Sequence, residues 1–206
     1  MNNNTGINLI KAFLSSVFII FTLTSCSALV ISGAATGVDS SQDRRTLSTQ
    51  IQDEKNELSA IKSLLSEEHI RSNSNISVVS FNNIILIIGQ ANTEELKQEI
   101  SDKLREIVKV GRIFNQIRVA EPTGFSDRRY DDYLTTKIKS SMLFASDLPS
   151  SKIKVVTENS EVFLMGMVTR TEAKLATDIA RKTAGVTKVI TLFEYIADDD
   201  QKDKKE

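Results

Sequence analysis

The chain has 206 residues, of which 26 are lysine or arginine, 27 are aspartate or glutamate, one is histidine and one is cysteine. Because the net charge is −1 at pH 7, the chain has no global basic field, and nucleic acid is not an expected partner. The single cysteine excludes an intramolecular disulfide, and with the single histidine it leaves no set of Cys and His ligands for a metal.

The first 25 residues predict a secretory signal peptide. A polar start with one basic residue, Lys11, precedes an uncharged apolar run at 12–23, and small residues follow that run. The run is shorter than the ~20 apolar residues that cross a bilayer. A buried core helix is the alternative interpretation of this run.

The Leu-Thr-Ser-Cys sequence that ends at Cys26 resembles the lipobox of bacterial lipoproteins, whose cysteine is diacylated before the chain is cleaved in front of it. The resemblance implies a covalent diacylglycerol and an N-acyl chain on Cys26, and no other cofactor. Two or more acyl chains anchor a protein stably to a membrane. Ser27, in place of an aspartate after the cysteine, implies sorting to the outer membrane, where the chain would face the periplasm. A buried structural thiol is the alternative for Cys26.

A tether and two copies of one unit are predicted after the anchor. The lipidated cysteine and the segment after it, 26–42, are rich in Ala, Gly and Ser and predict a flexible tether. The first copy, 43–120, begins with an amphipathic helix. The apolar residues that recur along this helix at helical spacing are Leu47, Ile51, Leu58, Ile61 and Leu65. A hairpin around Asn82-Asn83, a second helix that stops at Gly111 and a strand at 113–119 come next.

The second copy, 131–197, repeats this order after a linker at 121–130. Its helix is predicted from about Asp131 to Ala145, and a hairpin, a helix with a Thr169 capping box and a final strand come after it. Each copy is therefore α-β-β-α-β, with two helices on one face of a three-stranded mixed sheet, and the fold class is α+β. Such small copies are expected to pack against each other, with edge-to-edge pairing as one arrangement. The mixed-charge tail, 198–206, is predicted to be disordered.

The second copy carries a family resemblance in Val162-x-Leu-x-Gly-x-Val168, Glu172-Ala173 and Gly185-Val186, which the first copy echoes more weakly from Ile84 onwards. These patterns resemble the BON domain, and with the lipobox the chain is similar to outer-membrane lipoproteins that carry two BON domains. The resemblance implies binding of anionic, phosphatidylglycerol-like phospholipid through the first helix of the second copy. It also implies a role in outer-membrane integrity, at division sites.

Catalysis is not expected. His69 follows Ser66-Glu-Glu at the predicted end of the first helix, where its charge would complement the helix dipole, and no Gly-x-Ser-x-Gly motif accompanies it. The glycines are spread singly and form no phosphate-cradling loop.

The segment 128–144 is the candidate lipid-binding surface. At ~100° per residue, Leu134, Ile138 and Met142 share an arc that should face the sheet, while Tyr133 and Phe144 share an arc that should face solvent. Cations would meet a lipid phosphate, and the large apolar side chains would enter the acyl boundary. The predicted lipid-binding residues are Arg128, Arg129, Tyr133, Lys137, Lys139, Leu143 and Phe144.

Two alternatives stay open for this segment. Tyr133 and Phe144 could instead pack against the first copy, and Asp131 and Asp132 weaken the basic patch, although an aspartate before a helix is also an ordinary cap. The alternative function is an adaptor for the outer-membrane protein assembly machinery, which would use the sheet edges for strand addition. Met165 and Met167 are predicted to be core residues and not part of a binding groove.

Overall fold

A computed structural model of the chain describes residues 43–107, 112–122 and 124–197. The predicted signal peptide, Cys26, the tether at 26–42, Gly111 and the tail at 198–206 lie outside the described residues. Apart from the short gap at 108–111, both predicted copies lie within them, and residue 123 of the predicted linker lies outside.

The first copy has the predicted α-β-β-α-β order with one short helix added. Its elements are α1 (Leu47–Ser66), α2 (Glu68–Asn73), β1 (Ser74–Phe81), β2 (Ile84–Ala91), α3 (Glu94–Ile107) and β3 (Arg112–Val119). The strand order is β1-β2-β3, with β1 antiparallel and β3 parallel to the central strand. The predicted three-stranded mixed sheet is confirmed.

The second copy repeats the same sheet. Its elements are α4 (Phe125–Leu143), β4 (Ile153–Glu158), β5 (Glu161–Val168), α5 (Arg170–Lys182) and β6 (Lys188–Tyr195). The strand order β4-β5-β6 has the same directions as in the first copy. The predicted start of α4 near Asp131 is wrong, because the helix begins at Phe125, so most of the predicted linker 121–130 is helical. The linker prediction relied on Pro122 and Gly124, which mark only where the chain enters this helix.

A buried aspartate holds the hairpin turn of each copy. Both central residues of each turn, 82–83 and 159–160, have positive φ. Asp53 on α1 accepts hydrogen bonds from the backbone amides of 82 and 83 at 2.7 and 3.1 Å. Asp131 on α4 accepts them from the amides of 159 and 160 at 2.7 and 2.8 Å. The first helix of each copy is therefore tied to its hairpin by the same contact.

The two sheets pack face to face, and the edge-to-edge arrangement is wrong. Along β2, Ile85 and Ile87 point to the helices of their own copy, while Leu86 and Ile88 point to the second sheet. The second sheet meets them with side chains that include Met165. Because β2 is buried along its whole length, it needs apolar cover on both faces, which the helices and the other copy supply. Met165 is fully buried and Met167 partly buried in this layer, so their predicted core role is confirmed.

Polar contacts surround this shared core. Lys154 lies 2.6 Å from Glu57, and Arg118 lies 2.5 Å from Glu161. Arg44, just before α1, forms a two-pronged pair with Glu172 at 2.6 and 2.9 Å. Since these pairs are partly exposed, they orient the copies more than they stabilise them.

The apolar residues that predict α1 do not form its buried face. The helix packs on its copy through Asp53, Asn56, Ala60 and Leu64. Leu47 and the other four apolar residues of the predicted stripe are exposed. The sequence periodicity therefore predicts the helix but does not indicate which side of it faces the core.

Candidate functional site

Helix α4 places the predicted lipid-binding residues on the surface. Leu134, Ile138 and Met142 are buried in the core of the second copy, as predicted. With this side fixed against the sheet, the opposite side of α4 faces solvent, while Asp131 is buried beside the core residues. Gly124 is the N-cap and Phe144 the C-cap of the helix, so the candidate segment forms one continuous outer face.

The large apolar residues of this face are exposed. The exposed fraction is 55% for Tyr133, 69% for Leu143 and 84% for Phe144. The alternative that Tyr133 and Phe144 pack against the first copy is therefore wrong. Exposed aromatic and leucine side chains at a helix end are available for a partner.

The predicted residues, together with Tyr130, form two flanks of α4. The aromatic flank comprises Tyr130, Tyr133, Lys137 and Phe144. The basic flank comprises Arg128, Lys139 and Leu143. At 100° per residue the centres of the two flanks are separated by about 140° around the helix, and Arg129 projects between them. A partner that contacts both flanks must therefore be broad and flat.

The aromatic flank is held together by ring and cation contacts. The Lys137 ammonium lies 5.7 Å from the centroid of the Tyr133 ring, within the range of a cation–π interaction. The rings of Tyr130 and Tyr133 are tilted at 31° with centroids 6.2 Å apart. These contacts orient Tyr133 without burying it.

Tyr130 is a member of this surface that the sequence pattern did not indicate. Gly185, after α5, has φ +103°, and a Cβ there would overlap the Tyr130 hydroxyl. The Tyr130 ring therefore rests on the loop beyond α5, which fixes one side of the aromatic flank. Its spacing of three residues from Tyr133 indicates that the two rings share one side of a helix. Because the predicted linker included Tyr130, the sequence pattern did not place it on α4.

The basic flank borders a recess at each end. A cavity of about 470 Å³ is lined by Arg128, Arg129 and Glu158, among others. A cavity of about 330 Å³ opens beside Lys139 and Leu143, against the 3-10 turn Ser150–Lys152. The first recess is also lined by carboxylates, among them Asp132, whereas Lys139 is the one charged residue that lines the second, and both recesses open to solvent.

The two adjacent aspartates of α4, Asp131 and Asp132, differ in their surroundings. Asp131 is buried and engaged by the hairpin turn, so its prediction as a helix cap or as a negative member of the patch is wrong. Asp132 is exposed and lies on the outer face. Across the first recess, burial raises the pKa of Glu158, while its hydrogen bond from Gln90 acts in the opposite direction.

The described residues contain no cluster of three or more His, Cys, Asp or Glu side chains placed to hold a metal ion. His69 belongs to the short helix α2 and not to the end of the first helix, and its Nε2 lies 2.7 Å from a Glu99 carboxylate oxygen. This exposed pair explains the histidine better than the predicted dipole contact. None of the described helices is both long enough and apolar enough to cross a membrane.

The sequence is similar to a known domain family and to known proteins. The family model of the BON domain matches residues 53–121 and 130–197. The outer membrane lipoprotein DolP of Haemophilus influenzae is 34% identical over 174 residues, which cover 84% of this chain and 90% of that protein. The 21 kDa hemolysin of Actinobacillus pleuropneumoniae is 34% identical over 154 residues, which cover 75% of this chain and 79% of that protein.

Among solved structures, the C-terminal domain of CdsD, a structural protein of the type III secretion system of Chlamydia trachomatis, shares 15% identity with this chain. That match has a TM-score of 0.28 and covers 70% of this chain and 67% of the other. Such a score carries no argument about fold or function.

Proposed function

Because the chain belongs to the BON-domain proteins and carries two BON domains, we propose that it is an outer-membrane lipoprotein whose second BON domain binds anionic phospholipid. Its similarity over most of its length to an outer membrane lipoprotein supports the location. Cys26 would carry the covalent acyl chains that anchor it, with the folded part on the periplasmic side. A role in envelope integrity at division sites belongs to the same proposal.

The observation that carries the lipid proposal is the outer face of α4. Leu143 and Phe144 are 69% and 84% exposed at one end of a helix that also bears Arg128, Arg129 and Lys139. Large apolar side chains beside cations match the two layers of a bilayer surface, the acyl boundary and the phosphates. No enzyme activity is needed for such a role.

A bilayer also fits the spacing of the two flanks. If α4 lies parallel to the membrane with Arg129 and Leu143 towards it, both the aromatic flank and the basic flank reach the headgroups. Each cation near an anionic surface contributes ~1 kcal/mol, so four of them produce recruitment that weakens as salt is added. The cations outnumber the exposed carboxylates Asp127 and Asp132 on this helix.

Vesicle flotation tests this proposal. Protein that begins at Ser27 should float with phosphatidylglycerol vesicles and much less with phosphatidylcholine vesicles. Phe144→Glu should abolish flotation, because it places a carboxylate at the acyl boundary, while stability stays within ~0.5 kcal/mol of the parent. The matched control is Val119→Glu, an exposed apolar residue at the end of β3, which should float as the parent does. A folded Phe144→Glu variant that still floats would refute the site.

Reversing the charge of two lysines tests the electrostatic part of the lipid-binding proposal. Lys137→Glu with Lys139→Glu should abolish binding to anionic vesicles without unfolding the chain, because Lys139 is exposed and Lys137 only half-buried. Binding that is unchanged by this reversal, and by added salt, would show that the surface recognises no anionic lipid.

The adaptor function remains the second candidate. The observation that favours it is that β3 and β6 are outer strands of three-stranded sheets among the described residues, so each leaves one row of backbone groups for an added strand. If the chain is such an adaptor, the Phe144→Glu variant should still bind its protein partner although it no longer floats with vesicles. This result would separate the two functions.

A further inference from the structure

Helix α1 carries an apolar stripe on its outward side. The stripe comprises Leu47, Ile51, Leu58, Ile61 and Leu65, and the exposed fraction is 71% for Leu47, 68% for Leu58 and 54% for Leu65. At ~100° per residue all five lie within an arc of about 80°, on the side of the helix away from Asn56 and Ala60. The helix is therefore apolar towards solvent, while it presents two polar side chains, Asp53 and Asn56, to the core.

This exposure calls for a partner. Single exposed apolar residues are normal, but five large ones in a row along a 20-residue helix form a contiguous surface of the kind that marks an interaction site. The described part of the chain covers Ile51 and Ile61 in part, since they are 44% and 40% exposed, but it leaves Leu47 and Leu58 largely open to solvent. The stripe lies on the first BON domain, whereas the proposed surface of α4 belongs to the second.

A second copy of α1 fits the stripe poorly. The positions 47, 51, 54, 58, 61 and 65 follow the alternating spacing of a coiled-coil seam, and position 54 is an exposed glutamate. Parallel pairing would put Glu54 opposite its own counterpart. Antiparallel pairing about the middle of the stripe would put Glu54 opposite Leu58. Either arrangement would place a carboxylate in an apolar seam, which is costly.

A membrane surface fits better, because the chain is attached to one close by. This argument rests on the proposed anchor at Cys26. Leu47 is 21 residues beyond Cys26, a length that spans at most about 75 Å when fully extended. Helix α1 itself is about 30 Å long, so its entire stripe stays within reach of the anchored bilayer. Glu54 lies within the arc of the stripe, and at an interface its flexible side chain can extend to the headgroups, which a packed helical seam does not allow.

The residues beside the apolar stripe are consistent with a membrane surface as its partner. Lys55 and Lys62 are exposed along one border of the stripe, where lysines can extend to phosphates while their stems cover apolar surface. At the far end, Ile61 and Leu65 line a groove of about 350 Å³ that Arg128 also borders. The stripe therefore runs from the segment nearest the anchor to the first turns of α4.

We propose that α1 lies on the bilayer that holds the lipid anchor, with its apolar stripe in the acyl boundary, as a membrane contact of the first BON domain. The first BON domain would then touch the membrane at two places, the acylated cysteine and the stripe. The first BON domain would be oriented by the stripe and not merely held by its tether.

Depth-sensitive fluorescence on the full lipidated chain tests this contact. In such a chain Cys26 is acylated, so an introduced cysteine is the reactive thiol. An environment-sensitive fluorophore on Leu58→Cys should be quenched by vesicles whose lipids carry nitroxide on the acyl chains. The matched control is the neighbouring exposed position, Ser59→Cys, which points about 100° away and should be quenched far less.

A second variant separates the stripe from α4. With the probe at Leu65→Cys, adding Leu58→Glu should shift the docking equilibrium about tenfold or more towards the undocked state. Adding Phe144→Glu should leave the Leu65 probe quenched, because the stripe docks by itself.

The possible negative results of these experiments lead to different conclusions. A chain that does not sediment with the vesicles refutes the anchor and, with it, the stripe proposal. A chain that sediments but shows equal quenching at Leu58 and Ser59 overturns the stripe proposal alone. A Leu58 probe that is shielded from water only as protein concentration rises, without quenching by nitroxide lipid, shows that a second copy covers the stripe, and this also overturns it.

Discussion

Two adjacent aspartates of α4 provide a test of how the fold assigns roles. Asp131 is 6% exposed and accepts hydrogen bonds from the amides of Asn159 and Ser160, while its neighbour Asp132 faces solvent. Asp131→Ala removes both bonds, whereas Asp132→Ala removes a charge from the proposed membrane face. The two substitutions are identical in chemistry and differ only in what surrounds the side chain.

The expected magnitudes depend on these contacts. A hydrogen bond to a charged group contributes ~1.5–3 kcal/mol, and the turn amides can partly rehydrate, so Asp131→Ala should cost about 3 kcal/mol in unfolding free energy. For a domain of this size that is a fall of about 10 °C in melting temperature. Asp132→Ala should stay within ~0.5 kcal/mol. Losing its negative charge should strengthen binding to anionic vesicles several-fold, by ~1 kcal/mol.

Thermal unfolding and vesicle flotation of the same two proteins measure both effects. The reasoning fails if Asp131→Ala melts like the parent, because the turn would then not depend on the buried carboxylate. It also fails if Asp132→Ala binds vesicles no better than the parent at low salt, because the outer face of α4 would then not sense the lipid charge.

Two further outcomes are expected. Cys26→Ala should block acylation, so the chain should no longer incorporate labelled palmitate or fractionate with outer membranes, and unchanged labelling would refute the anchor. Burial raises the pKa of the Glu158 carboxyl above its ordinary value of 4.5, so the folded chain holds this proton more tightly than the unfolded chain. The free energy of unfolding should therefore fall as the pH rises from the unfolded pKa through the raised folded pKa. Glu158→Gln should remove this loss and raise the unfolding free energy at neutral pH, and identical pH profiles for the two proteins would contradict the assignment.

Local sequence patterns were sufficient to predict the elements and their repetition. Apolar runs on either side of turn residues predicted the strands, and Asn82-Asn83 predicted the first hairpin turn because asparagine tolerates positive φ. The inward side of α4 was also predictable, since Leu134, Ile138 and Met142 are the apolar residues that share a narrow arc on the side opposite the cations. These features depend on residues close together in the chain.

Which surfaces are covered depends instead on the packing of distant segments. Helix α1 has an apolar stripe on one side and Asp53, Asn56, Ala60 and Leu64 on the other, and periodicity favours the wrong side as the core. Asp53 can be buried because the hairpin amides and Arg45 satisfy its carboxylate, contacts made with groups up to 30 residues away. Likewise, the sheets pack face to face because each central strand is apolar on both sides. A local pattern indicates that a strand or helix has an apolar side. Whether that side is buried, and by which segment, depends on contacts that form only when distant parts of the chain pack together.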